Sequence, residues 1–259
     1  MSETVRALAE SFPIRDGDTV IISSDIRRVL FDSKRKGNPF EPDDFIDTLI
    51  QKIGCEGTLL FPTYNWDYCQ GIPFDYIHTK CKTGTLGTIA LKRDDFKRTK
   101  HPIYSFAVWG KDKEWLCNMN NISSFGADSP FAYLKEKNAL NILIDVDYQN
   151  CFTYVHFVEE QSKIVKYRYQ KMFSAPYIDV NGQIRDSKYS MFVRYLELDV
   201  ENKINRIGHI LEENKIANKL TVGIIPIISL RMGDAYPIIE NDIMNNRSRN
   251  ICTYIGQED

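Results

Sequence analysis

The run D-G-D-T-V-I-I-S-S-D, residues 16–25, decides the architecture. Asp16-Gly17-Asp18 reads as a turn, because glycine gives the backbone freedom and aspartate the local hydrogen bonds that a tight reversal needs. Thr19-Val20-Ile21-Ile22 follows without polar alternation, so the strand it forms must be covered on both faces. Such a strand belongs to a sheet packed between helices. Ser23-Ser24-Asp25 then places small polar groups where an α/β strand meets its loop.

The pattern repeats outward from this run. G-T-L-L-F-P (57–62) is a second buried strand ended by proline, Y-S-F-A-V-W (104–109) is strand-like, and N-I-L-I-D-V (141–146) is another buried run. Helices are expected between them. Residues 2–12 suit a short amphipathic helix. Pro42 with Asp43 and Asp44 marks a helix N-terminus, and Gly54 its stop. Residues 84–94 read as helical, and Ser129-Pro130 as an N-cap and first-turn pair for a helix to about Lys137. The expected fold is a three-layer α/β arrangement: a mixed, partly parallel central sheet with helices on both faces.

Past residue 160 the character changes. A-P-Y-I-D-V (175–180) and I-R-D-S-K-Y-S-M-F-V-R-Y-L (184–196) flank Asn181-Gly182, a tight-hairpin signal. Helical segments near 203–215 and 233–245 surround an apolar strand, T-V-G-I-I-P (221–226). We therefore expect one domain over 1–259, with a core in 1–160 and a β-hairpin and C-terminal layer in 161–259 on the same core.

Composition narrows the function classes. Of 259 residues, 43% are apolar and 26% charged, with a net charge of −2. That balance gives no electrostatic reason to expect nucleic acid or an anionic membrane as partner. The opening M-S-E-T-V-R-A-L-A-E lacks the apolar core of a signal peptide, and no run approaches the roughly 18 apolar residues of a bilayer span. Six scattered cysteines without a C-x-x-C pair point to reduced thiols, no structural zinc and a cytoplasmic setting.

The chemistry-bearing segment is T-Y-V-H-F-V-E-E (153–160). Residues three and four apart share a helix face, so His156, Glu159 and Glu160 point the same way. An imidazole beside a carboxylate is the minimal kit for a general base near neutral pH. Thr153, one turn earlier, is placed to cap the helix or hold a substrate group. A solvated helix face bearing a histidine competes with this reading. A zinc site does not, because no second histidine follows in H-E-x-x-H spacing. A Cys151–His156 nucleophilic pair is disfavoured by the strand–helix junction between them.

Other candidates lie upstream. His101, held extended by Pro102, suits a loop lining a cleft. Ser23, Ser24 and Arg27 or Arg28 sit where an α/β fold holds phosphate, although neither G-x-G-x-x-G nor a Walker sequence occurs. The long loop to residue 82 carries Tyr64, Trp66, Asp67, Phe74 and Asp75, a mix of aromatic faces and carboxylates that suits an amino sugar.

Taken in order, these segments resemble the aminoglycoside 3-N-acetyltransferase family, the antibiotic N-acetyltransferase fold. The resemblance runs from G-D-T-V-I-I-S-S-D (17–25) through G-T-L-L-F-P-T (57–63) and F-D (74–75). It continues with R-T-K-H-P-x-x-S-F-A-V-W-G (98–110), F-G-x-x-S-P (125–130), N-I-L-I-D-V (141–146) and T-x-x-H-x-x-E (153–159). Where the family carries V-H-S-S-L, this chain has Ser23 for the histidine and Asp25 for the second serine; in R-S-x-H-P it has Thr99.

The resemblance implies acetyl transfer from acetyl-CoA to a primary amine of an amino sugar. It casts His156 as general base and Glu159 as its partner, with backbone N–H groups or a hydroxyl such as that of Thr153 as donor to the oxyanion. Ser23, Ser24, Asp25, Arg27, Thr63, His101 and Ser105 would face the cofactor, and Asp75, Tyr64 and Trp66 the acceptor; no metal is implied. The near-neutral balance of 33 basic and 35 acidic residues favours an anionic, nucleotide-linked amino sugar as acceptor. The alternatives are an aminoglycoside-modifying resistance enzyme and a non-catalytic CoA-binding relative. Exposed aromatic loops hint at self-association into a homo-oligomer.

Overall fold

The computed structural model describes residues 3–257. Helix α1, Glu3–Ser11, forms the amphipathic N-terminal segment; Ser2, where that segment was expected to begin, lies outside the described residues. Strand β1, Thr19–Ser24, is the T-V-I-I run extended by both serines. Helix α2, Arg27–Arg35, has no counterpart in the sequence expectations, since its buried residues are Val29, Asp32 and Ser33 and make no apolar stripe. Helix α3, Pro42–Ile53, starts on its proline and stops at Gly54, whose φ of +74° suits glycine. Strand β2 spans Thr58–Pro62, and the two-residue β3, Phe74–Asp75, interrupts the long aromatic loop.

Helix α4, Thr85–Ala90, is shorter than the expected 84–94. Arg93 contacts Asp95 at 2.9 Å and Asp43 and Asp47 of α3, and an i,i+2 contact is one that a helix does not permit. Strands β4 (Lys97–Arg98) and β5 (Phe106–Gly110), helices α5 (Lys113–Asn118) and α6 (Pro130–Glu136), and β6 (Leu140–Ile144) follow. Pro130 opens α6, but Ser129 does not cap it through its side chain: its hydroxyl is buried without a partner. Two helices come next, α7 (Tyr148–Cys151) and α8 (Tyr154–Ser162).

The hairpin of β7 (Arg168–Ile178) and β8 (Ile184–Arg194) is longer than its tight-turn signal implied. The Asp179 carboxylate accepts the Asn181 and Gln183 N–H groups, so Asn181-Gly182 sits inside a five-residue connection. Then come β9 (Glu201–Asn202) and α9 (Ile204–Glu213). The expected strand 221–226 is instead the bend between β10 (Ala217–Val222) and β11 (Ile225–Arg231). Gly223, at φ +62°, occupies the first position of the two-residue turn, which requires positive φ. Helix α10 (Met232–Asn245) and β12 (Cys252–Thr253) complete the order.

Seven strands form the main sheet in the order β10-β11-β6-β1-β2-β5-β4. Only β6, β1 and β2 run parallel to one another; the flanking pairs are antiparallel. Each central strand divides its side chains between two cores. Val20, Ile22, Leu59, Phe61, Ile142 and Ile144 pack with α1, α3 and α4. Ile21, Leu60, Leu143 and Ile228 pack with α6, α8, α9 and α10 on the other face. A separate three-stranded sheet, β3-β7-β8, covers that second face. No helix among the described residues is long and apolar enough to cross a membrane.

This topology puts the carboxyl ends of β1, β2 and β6 together with α7 and α8 directly behind them. Helix α9 braces α7 at one close approach: a Cβ on Gly208 would lie 2.1 Å from Cδ2 of Tyr148. Gly208→Ala should therefore lower stability by about 1–3 kcal/mol, read as a lower urea midpoint with unchanged m, although alanine favours helix.

Candidate functional site

Helix α8 is seated by Tyr154, Val155, Phe157 and Val158, all buried, which leaves His156 on the face toward Phe125. Its entry is a kink rather than a cap. Asp147 caps α7 by accepting the Asn150 N–H, Phe152 leaves the helical region, and Thr153 makes no side-chain cap to α8. His156 Nδ1 lies 2.6 Å from Oε2 of Glu159. Glu160 does not join them: its carboxylate accepts from the Ser123 hydroxyl at 2.7 Å.

Glu159 is wholly buried. Tyr167 donates to its Oε1 at 2.8 Å, and Arg168 Nε makes an ion contact of 3.0 Å with Oε2. Arg168 in turn donates through Nη2 to Oδ1 of Asn202 at 2.7 Å. Burial by itself would raise the Glu159 carboxyl, but Arg168, His156 and the hydrogen bonds from His156 and Tyr167 outweigh it and hold it at about 2. His156, whose side chain is 14% exposed, is shifted down, by burial first and the Arg168 charge second, against the pull of Glu159. An ionised Glu159 favours the proton on Nδ1, which leaves the lone pair of a neutral imidazole on Nε2.

A cavity of about 260 Å³ lies at the carboxyl ends of β1 and β2, where open α/β sheets bind ligands. Ser23, Ser24, Tyr64, Trp66 and Thr153 line it together with Gly84, Asn150 and Cys151. Thr153 is one turn before His156 and accepts its backbone N–H. A neighbouring cavity of about 550 Å³, which shares Asn150, is lined by Asp25, Arg27, Asp145 and Lys219. The fold thus gathers candidates for the cofactor, the acceptor and catalysis from three separate segments, 23–27, 64–66 and Thr153. The larger cavity of about 650 Å³ between α5 and α6 contains none of them.

Other flagged residues are placed differently. Asp25 accepts the Arg27 backbone N–H and holds the Arg27 guanidinium, so the chain's own carboxylate already fills the start of α2, where phosphate was expected. Arg28 pairs with Asp145 at 3.1 Å. Thr63 and Ser105 are buried and bonded to each other at 2.8 Å, which ties the end of β2 to the approach to β5. His101 is 1% exposed, not on a cleft surface. Its Nδ1 accepts the Ile103 and Tyr104 N–H groups and its Nε2 faces the Ile122 carbonyl, a core histidine pushed down to about 3 by burial. Asp75 is spent on its own turn, accepting from the Ile77 and His78 N–H groups and meeting His78 Nδ1. Trp66 is 38% exposed and keeps an open aromatic face. Cys151 lines the same cleft, and burial pushes its thiol up to about 11, which disfavours a thiolate there at neutral pH. Among the described residues no group of three or more His, Cys, Asp or Glu side chains is arranged for a metal ion.

Sequence reasoning missed Tyr167, Arg168 and Asn202. They reach Glu159 across element boundaries, and no local spacing encodes such contacts; the adjacent Tyr-Arg at a strand start was the only mark.

A family profile described as aminoglycoside 3-N-acetyltransferase matches residues 34–242. That span includes His156, Glu159 and Arg168 and leaves out Ser23–Arg27. The chain is 26% identical over 242 residues to the SPbeta prophage-derived aminoglycoside N(3')-acetyltransferase-like protein YokD of Bacillus subtilis (strain 168), covering 91% of this chain and 77% of that protein. Sisomicin-bound AAC-VIa superposes with a TM-score of 0.77 at 18% identity, over 94% of this chain and 97% of that one. AAC-IIIb in binary complex with CoASH gives 0.74 at 16%, over 94% and 95%. At these identities the solved structures speak for the fold.

The buried groups fix a pH signature. His101 is held at about 3 in the fold against its ordinary 6.5, so between these values the unfolded chain carries the extra proton. Stability must then fall as pH drops through that window. His156 acts with the same sign, and Glu159 adds stability that is lost only as pH falls from 4.5 toward 2. His101→Gln should flatten the loss of urea stability between pH 6.5 and 3 by about 3–5 kcal/mol. An unchanged slope would mean that His101 is not held neutral.

Proposed function

The chain belongs to the aminoglycoside 3-N-acetyltransferase family, a family of CoA-dependent acyltransferases, and from that premise we propose a specific reaction. Acetyl-CoA is the donor, and the acceptor is a primary amine of an aminoglycoside-type amino sugar. The observation that carries this reading is the His156–Glu159 pair, neutral imidazole on ionised carboxylate, one turn from a cleft at the carboxyl end of the parallel strands.

The cofactor side rests on the two joined cavities. Ser23, Ser24 and Thr153 would meet the thioester end, and Arg27 and Lys219 would face the phosphates. Arg27 is already tied to Asp25, so Lys219 carries more of that work than sequence suggested. His101, Thr63 and Ser105 serve the same side as buried supports of the loops around it.

The amine attacks the thioester carbonyl, a C–N bond forms, and the ammonium proton passes to Nε2 of His156. Collapse breaks the C–S bond, and the departing thiolate takes up that proton. Thr153, on the cleft wall, is our candidate donor to the developing oxyanion. Glu159 keeps the imidazole in the right tautomer and stabilises it when charged. Trp66 and Tyr64 offer aromatic faces to the sugar. Asp75, turned into its own loop, would reach an acceptor only after that loop opens. We read 1–259 as one catalytic unit, with 1–160 supplying the cleft and base and 161–259 the layer that supports them.

The family match, together with relatives solved with sisomicin and apramycin, supports the aminoglycoside reading above a nucleotide-linked amino sugar. The global charge balance had favoured the latter, but net charge sums over a whole surface and says little about one cleft.

Free-thiol release from acetyl-CoA, followed with panels of aminoglycosides and nucleotide-linked amino sugars, tests the proposal. Release is expected with aminoglycosides, and His156→Gln should lower it about 10²–10⁴-fold without unfolding. Release confined to nucleotide-linked sugars would restore the other acceptor. A fully active His156→Gln protein would remove the base.

A further inference from the structure

We propose that Arg168 is the positioning residue of the catalytic pair: clamped by Asn202, its guanidinium fixes the Glu159 carboxylate that orients His156. This rests on the reading of His156 as the base.

Counting the partners of Glu159 shows why it needs this arginine. Its two oxygens meet Tyr167, His156 and Arg168, and the carboxylate itself is wholly buried. Tyr167 brings a hydrogen bond but no charge, so Arg168 is the permanent cation in contact with that carboxylate. Without it, a buried carboxylate either takes up a proton or turns His156 into its counter-ion. In both cases the free base disappears.

The placement of Arg168 also has a cost that its surroundings must offset. In the ladder of β7 and β8, Arg168 stands directly opposite Arg194. Like charges at facing positions destabilise an antiparallel pair. Arg194 turns its Nη1 to the Val200 carbonyl at 2.8 Å, and Arg168 turns inward to Glu159 and Asn202. One planar guanidinium spans both contacts: Nη2 donates to Asn202, and Nε stands 3.0 Å from Glu159 as a charge contact without a hydrogen bond. Asn202 lies on β9, which pairs with β12, so the clamp is anchored in the C-terminal layer.

The charges around His156 come from three elements: Glu159 on α8, Arg168 on β7 and Arg194 on β8. Glu160, the next residue of α8, is directed to Ser123, and Cys252 of β12, raised to about 12 by burial, is a neutral thiol beside Glu159. Removing Arg168 therefore deletes one repulsion on the imidazolium and the one contact cation of Glu159. Both changes make the pair bind its proton at higher pH.

The test uses the full chain with Arg168→Gln, Arg168→Lys and Asn202→Ala. The His156 imidazole is titrated by NMR, its signal assigned by its absence in His156→Gln, and the pH profile of kcat/KM is measured by thiol release. Arg168→Gln should raise the imidazole midpoint and the acid limb by about one to two pH units. It should lower kcat on the order of tenfold or more, with the KM for acetyl-CoA unchanged. Arg168→Lys should restore the midpoint but only part of kcat, and Asn202→Ala should fall between. An unshifted midpoint in Arg168→Gln, with or without lost activity, overturns the proposal and leaves a packing role. If Arg168→Gln does not fold, the other two decide: Asn202→Ala shifted and Arg168→Lys unshifted supports it, both unshifted overturns it. A fully active His156→Gln would defeat the base reading alone, because the imidazole midpoint still reports on Arg168 without turnover.

Discussion

A carboxylate sealed from water stays ionised only if charge and hydrogen bonds are brought to it, and for Glu159 they come from three directions. His156 reaches it along its own helix, Tyr167 from the chain leading into β7, and Arg168 from the first residue of β7. Asn202 then fixes the arginine from β9. The part of the chain after α8 is thus more than a cover for the second core. It supplies the groups that let a buried acid remain an acid anion, and that anion sets the tautomer of the imidazole beside it.

The central sheet was legible because burial on both faces writes itself into composition. Thr19–Ile22, Gly57–Pro62 and Asn141–Val146 each carry a continuous apolar run without alternation, and each forms a central strand within two residues of its expected bounds. Elements whose burial comes from polar groups were not legible. Helix α2 hides Asp32 and Ser33 rather than leucines. The turn at Gly223 was read as continuous strand because apolar residues stand on both sides of a single glycine.

The candidate site divides in the same way. His156 and Glu159 are one helical turn apart, so spacing alone pairs them. Glu160 satisfied the same spacing and yet goes to Ser123, which only tertiary packing decides. His101 and Ser105 carried the right chemistry in a recognisable segment, but their side chains are consumed in holding loops together. Asp25 is the converse case. A carboxylate just ahead of α2, accepting the Arg27 N–H, is favourable on its own terms, and it occupies the position a phosphate would otherwise take.

The strand order has a consequence for how the molecule is made. Strand β6, Leu140–Ile144, is buried at all five positions and lies beside β1, but its other edge is closed only by β11, Ile225–Arg231. A chain emerging from the ribosome must therefore carry an open, apolar strand edge for some eighty residues of further synthesis. When the β10–β11 hairpin docks, the outer edge of the sheet passes to Ala217–Val222, largely exposed and bearing Lys219. A sticky template is exchanged for a charged one, so this hairpin also works as the molecule's own safeguard against edge-to-edge aggregation.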